Sequence, residues 1–202
     1  MATDEFLRAR TLDCELRDGT PVRVRPIAPD DKDRLAEGMK RLSPQSRYRR
    51  FFSNMETLDP ALLRHLTEVD YSDHFAWLAV SRDEPGGPAV GVGRYIRLRD
   101  RPTAAEVAIT VRDDYQGRGL GTLLLDLLGL VALEHGIDEF VAIVQPENSP
   151  MRALLHSVGI DLAWDPEMGA LRGIGPVRGV DAVTNVALAE RLQSAARGQQ
   201  AE

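Results

Sequence analysis

The chain has 202 residues, 43% hydrophobic and 28% charged, the balance of an ordinary globular protein with room for one full core. Its net charge of −6 speaks against a nucleic-acid partner, which calls for a basic surface, while leaving a basic acceptor possible. A single cysteine, Cys14, excludes an intrachain disulfide and fits a reducing compartment.

The first residues, MATDEFLRAR, are acidic and carry no apolar signal core. The longest apolar run, Leu120 to Leu133, is interrupted by Asp126 and Gly129 and is too short to span a bilayer. The expectation is a cytoplasmic protein with no membrane partner.

In chain order, Asp18-Gly19 reads as a turn, followed by a strand through Val22 and Val24 that ends at Pro26. Asp30 or Asp31 is placed to cap a helix carrying Leu35 and Met39. Ser43 and Pro44 open a second helix, closing on Phe51 and Phe52, and Asp59 and Pro60 open a third. The run FAWLAVS (75–81) is a strand buried on both faces.

Residues 89–99 and 104–112 are the next two strands, joined through Asp100, Arg101 and Pro102. A helix from Leu120 stops at Gly136, a short strand covers 139–145, and a helix from Ser149 stops at Gly159. LAWDPEMGALRGI reads as a hairpin and AVTNVAL as a final strand, with a frayed polar tail after Leu192. The organisation expected is an N-terminal extension over 1–17, one domain over 18–190 and a polar tail over 191–202. Its fold class is α+β, a mixed sheet with helices on its faces.

One turn is chemically specific. DDYQGRGLGTLLL, residues 113–125, places three alternating glycines at a helix entrance, where glycine is a poor choice for the helix itself. Gly117, Gly119 and Gly121 leave backbone N–H groups uncovered at the positive end of a helix, a geometry that holds phosphate or pyrophosphate. Arg118 adds a charge for a phosphate group. A P-loop would need a lysine before Thr122, and a Rossmann fingerprint would need its third glycine one residue later.

The segment Gln116-Gly117-Arg118-Gly119-Leu120-Gly121 resembles the Q/R-x-x-G-x-G/A motif of the GNAT (Gcn5-related) N-acetyltransferases. The similarity extends from residue 18 to about 188. AAEVAITVRDDYQGRGLGTLLL is similar to the family's fourth strand and third helix, and FVAIVQPENSPMRALLHSVGI to the following strand and helix. LRDGTPVRVRPIAPDD and SPQSRYRRFFS further resemble the catalytic domain of bacterial Pat-type protein lysine acetyltransferases.

The resemblance implies an α/β/α-layered GNAT fold with a mostly antiparallel central sheet, splayed at one strand pair to bind acyl-CoA. Acetyl-CoA is then the co-substrate, with no metal. Backbone groups of Ile109, Thr110 and Val111 would pair with the pantetheine arm. The N–H groups of Gln116, Gly117, Arg118, Gly119, Leu120, Gly121 and Thr122 would hold the pyrophosphate. Asn148 matches the family's asparagine on the pantetheine side; it reads equally as a cap of the following helix.

Acyl transfer to an amine needs a neutral nucleophile, so a base must take a proton. Glu106, the only acid in AAEVAITV, stands where the family often carries a glutamate, and partial desolvation there would suit it to that work. The alternative is an ion pair with Arg94 or Arg99 on the neighbouring strand. Leu155 occupies the position where many family members place a tyrosine acid, and Ile160 replaces the usual phenylalanine. His156 points off another side of the helix, about 100° round, so the general acid is unassigned.

Arg47, Arg49 and Arg50 read chiefly as a solvated basic face, with the CoA 3′-phosphate or an acceptor as the alternative. The four histidines have no metal-ligand spacing. Trp77 and Trp164 read as core, and Asp70, Asp73, Asp113 and Asp114 as a conceivable acidic rim. The function expected is acetyl transfer to a protein lysine, by a monomer or homodimer. A small-molecule amine acceptor and a non-catalytic acyl-CoA-binding module are the alternatives.

Overall fold

A computed structural model describes residues 4–179 and 186–198. In chain order the elements are α1 (Asp4–Ala9), β1 (Leu12–Glu15), β2 (Pro21–Pro26), α2 (Lys32–Lys40), α3 (Pro44–Phe51), α4 (Pro60–Thr67), β3 (His74–Ser81), β4 (Ala89–Arg97) and β5 (Ala104–Val111). There follow α5 (Leu120–Glu134), β6 (Glu139–Val144), α6 (Ser149–Ser157), β7 (Leu162–Asp165), β8 (Ala170–Pro176) and α7 (Val186–Arg197). The strands make one eight-stranded sheet in the order β1-β2-β3-β4-β5-β6-β8-β7.

Every neighbouring pair is antiparallel except β5–β6. Those two are joined by α5, the long crossover that a parallel pair requires.

Gly91 and Gly93 on β4 explain how closely α5 approaches the sheet. A Cβ at Gly91 would stand 3.0 Å from Leu120 Cδ2, and one at Gly93 would stand 3.1 Å from Leu124 Cβ. The leucines of α5, apart from the exposed Leu133, belong to the main core with Phe75, Trp77 and Tyr95. On the other face α2 and α4 close a smaller cluster of Met39, Leu42, Leu58 and Leu66. Two of the expected caps form: Ser43 accepts from the N–H of Ser46 at 3.2 Å, and Asp59 from that of Leu62 at 2.8 Å. Asp31 precedes α2 but makes no side-chain cap to it, because its carboxylate accepts from Arg25 and Arg34 instead.

Three expectations need correction. Part of the stretch read as an N-terminal extension is an edge strand, because Leu12 to Glu15 pair with Pro21 to Val24 across the Gly19 turn. Where a final strand over 182–188 and then a frayed tail are expected, residues from Val186 to Arg197 form a helix, with Ala195 and Ala196 buried in the main core. Small residues there let the helix sit against the protein; positions 182–185 lie outside the described residues. Trp164 is 58% exposed rather than core, since its strand β7 is the outermost of the sheet. Trp77 is fully buried as expected.

Candidate active site

The sheet splits at β5–β6. These strands pair only through Ala104–Glu139, Ala105–Phe140 and Glu106–Val141, after which β6 continues with β8 as its partner. Glu106 is therefore the last paired residue at the vertex of the opening. Side chains alternate across a strand. Val107 joins the α5-side core, so Glu106, Ala108 and Thr110 face the side where α3 packs on β5.

A cleft of about 510 Å³ starts in this opening and runs to the glycine turn, walled by Ile109, Thr110, Val111, Gln116, Gly117 and Asn148 among others. An adjoining cavity of about 350 Å³ contains Glu106, with Phe52, Ala108, Asn148, Leu155 and Met168 around it. The two spaces share Arg49, Arg50, Ile109, Asn148 and Met151. The two spaces thus adjoin along these residues, one at the glycine turn and the other at the carboxylate.

The three glycines do different work. Gly117 (φ +75°) and Gly119 (φ +92°) occupy the left-handed region, where a side chain is strained. Gly121 has ordinary backbone, and a Cβ there would stand 3.4 Å from Leu154 Cδ2, an ordinary contact that a small side chain could make. Gln116 braces the turn by donating to the carbonyl of Val111 at 3.1 Å. Leu120 is buried in the main core, while Gly121 and Thr122 line the cleft.

Arg118 is not the free cation that the motif suggests. Its guanidinium donates to Thr20 Oγ1 at 3.0 Å, pairs with Asp18 at 3.2 Å and lies over the Tyr115 ring. Beside the turn the cation lining the cleft is Arg17, with Arg49 and Arg50 farther along it; the Arg17 backbone N–H donates to the Arg118 carbonyl at 3.0 Å. Its place was open to sequence reasoning only through the β1–β2 turn folding back over the motif.

Glu106 is exposed, so the protein alone does not supply the desolvation its apolar neighbours suggest. It makes no hydrogen bond or ion pair with any described residue. The alternative partner Arg94 is committed elsewhere, donating to His74 Nε2 at 2.9 Å and the Leu66 carbonyl at 3.2 Å. Burial pushes Arg94 down to about 9, with Arg50 adding to the effect. Burial likewise lowers His74 to about 4, helped by Arg94 and His65.

Asn148 caps α6, its Oδ1 accepting from the N–H of Met151 at 3.3 Å, and it also lines both spaces. Leu155 is 1% exposed in the main core, and His156 pairs with Asp161 at 3.1 Å. The Tyr115 hydroxyl, on the cleft wall, donates to Ser81 Oγ at 3.0 Å. Neither side chain is turned to the acid's work.

The acidic rim does not form. Asp113 accepts from Ser43 and Ser46, Asp114 pairs with Arg112, Asp73 pairs with Arg97, and Asp70 accepts from three backbone N–H groups. The arginines of α3 are not a solvated face either. Arg47 donates to the Leu42 carbonyl at 2.7 Å and Arg49 to the Glu147 carbonyl at 3.2 Å, while Arg50 lines both spaces. Packing of α3 across the β5–β6 opening turns them inward.

Comparison with known proteins agrees with this geometry. Residues 22–161 match the family described as the acetyltransferase (GNAT) domain. The chain is similar to acetyltransferase Pat of Mycolicibacterium smegmatis, with 39% identity over 145 residues covering 72% of this chain and 43% of that protein. It therefore spans less than half the length of that relative. It is also 33% identical over 152 residues to acetyltransferase PA5475 of Pseudomonas aeruginosa, covering 75% of this chain and 81% of the other. The solved GNAT domain of S. lividans PAT superposes with a TM-score of 0.76 at 31% identity, over 87% of this chain and 99% of that one.

Proposed function

This chain belongs to the GNAT acetyltransferase family, and we propose that it transfers the acetyl group of acetyl-CoA to a lysine side chain of a protein, with Glu106 as general base. The observation that carries the reading is the pair of adjoining cavities that reach from the glycine turn to Glu106 at the strand split. The N–H groups of residues 116–122 receive the pyrophosphate, and the unpaired strand edge of Ile109, Thr110 and Val111 offers hydrogen bonds to the pantetheine amides. The thioester then lies between that edge and Glu106.

Glu106 takes a proton from the ammonium, directly or through water, and the neutral nitrogen attacks the thioester carbon. The tetrahedral adduct collapses with cleavage of the C–S bond and release of the nitrogen's second proton to water, giving the amide and the CoA thiolate. Having no hydrogen-bond or ion-pair partner among the described residues, Glu106 is free for the amine, and entry of the acyl chain and acceptor excludes water from it. Phe52 and Met168, both partly exposed beside Glu106, suit the aliphatic stem of a lysine. The protein acceptor rests also on the likeness to a relative named Pat.

Thermal unfolding with CoA, acetyl-CoA, ATP and NADH tests the donor, since a ligand of the native state alone raises the melting temperature. A shift confined to the CoA compounds is expected; a shift with ATP or NADH alone overturns the reading. Mass spectrometry of lysine-containing proteins incubated with enzyme and acetyl-CoA tests the acceptor. Acetylation of small amines alone would reassign it.

A further inference from the structure

Arg50 stands in the penultimate position of α3, where this helix crosses β5. It lines the cofactor cleft beside Ile109 and Thr110 and the acceptor cavity beside Glu106 and Leu155. Ala108, between Glu106 and Thr110 on the same face of the strand, leaves room for it. No hydrogen bond or ion pair joins its guanidinium to any described residue; its one ring contact is with the adjacent Phe51, at 5.1 Å. Glu106 is the acid whose field reaches it, and burial nevertheless lowers its hold on its proton. Arg94, itself buried, adds a second positive charge at close range.

A partly buried cation with no hydrogen-bonded or ion-paired anion among the described residues is costly and is explained by an anion that arrives with the substrate. The phosphates of CoA are expected at the glycine turn, toward the far end of the cleft from Glu106. The anion generated between Thr110 and Glu106 is the sulfur released when the thioester breaks.

We propose that Arg50 is a catalytic residue that receives the departing CoA thiolate, taking by charge the place that a proton donor would fill. The role rests on the acetyltransferase reading above. When the C–S bond breaks, its electron pair stays on sulfur as a thiolate held beside the guanidinium; Glu106 keeps the first proton taken from the amine, and the second, shed as the adduct becomes the amide, goes to water. No proton passes to sulfur in the transition state, which accounts for an active site with Leu155 where a hydroxyl would stand.

The test titrates the thiol of bound CoA by its ultraviolet thiolate absorbance in the unaltered protein, Arg50→Gln and Arg50→Lys, alongside steady-state kinetics. The bound thiol should ionise below the pH at which free CoA does, and Arg50→Gln should return it upward by about 1. Turnover should fall about 100-fold in Arg50→Gln, with KM for acetyl-CoA little changed and partial recovery in Arg50→Lys. A bound thiol that titrates identically in the unaltered protein and Arg50→Gln overturns the role of Arg50 alone. Failure of the unaltered protein to bind CoA overturns the acetyltransferase reading itself.

Discussion

Arg17 and Gly119 pack so closely that a Cβ on the glycine would stand 3.0 Å from the arginine Nε and 3.1 Å from its Cγ. The β1–β2 turn thus lays a cation over the left-handed backbone of the glycine turn. Arg118, inside the motif, is already neutralised by Asp18. Arg17→Ala is expected to weaken CoA binding about 10-fold, the loss of one charge-assisted contact. Arg118→Ala should chiefly lower the melting temperature. Calorimetric titration of CoA into both variants decides the matter, and a larger affinity loss in Arg118→Ala would reverse the assignment.

Glu106→Gln keeps the shape of the side chain and removes its basicity. Turnover should drop about 100- to 10,000-fold with the CoA dissociation constant unchanged, because Glu106 lies in the acceptor cavity and not among the residues lining the cofactor cleft. Preserved biological function despite that loss of turnover would favour an acyl-CoA-binding module.

Phe52 ends α3 in the left-handed region, φ 55° and ψ 24°, and lines the acceptor cavity. A non-glycine residue there costs about 1 kcal/mol. Phe52→Gly relieves that strain while adding a similar entropy to the unfolded chain, so stability should hardly change. The KM for the acceptor should rise several-fold. A stability loss of several kcal/mol in urea denaturation would mean that Phe52 is held for packing instead.

Gly129 lies in the middle of α5, where alanine normally gains about 1 kcal/mol of helix propensity. Here a Cβ would stand 2.7 Å from the carbonyl oxygen of Arg178. Gly129→Ala should therefore destabilise by about 1–3 kcal/mol, and a raised melting temperature would show that the segment yields easily.

His74 is held down to about 4 by burial, with Arg94 and His65 adding to it. A histidine whose native value lies below its unfolded one takes up a proton on unfolding. Its neutral form therefore contributes stability at neutral pH that is lost as pH falls from about 6.5 toward 4. Asp126, raised to about 6 by burial, works in the opposite sense: it favours folding at low pH and gives that up as pH rises from about 4 to 6. His74→Gln keeps an acceptor for Arg94. Between pH 7 and 5 its urea midpoint should fall less than that of the unaltered protein, a difference of about 1–2 kcal/mol after solvent screening. Parallel midpoints would remove His74 as the source of acid sensitivity.

Strands, capped helices and the glycine turn could be read from the chain because they depend on signals a few residues apart: alternation in AAEVAITV, Ser43-Pro44 and Asp59-Pro60 at helix starts, and glycines where the backbone must turn left-handed. By the same local logic Glu106 could be placed on a strand beside an anion-binding turn. Which charges are free could not be read this way. Arg118 meets Asp18 one hundred positions earlier in the chain, Asp113 meets Ser43 and Ser46, and Arg94 meets His74. The tertiary structure alone decides that Arg17 and Arg50 line the cleft with no ion-pair partner among the described residues, because a charge's partner is set by which distant elements pack together, and long-range packing leaves no periodic trace in the sequence.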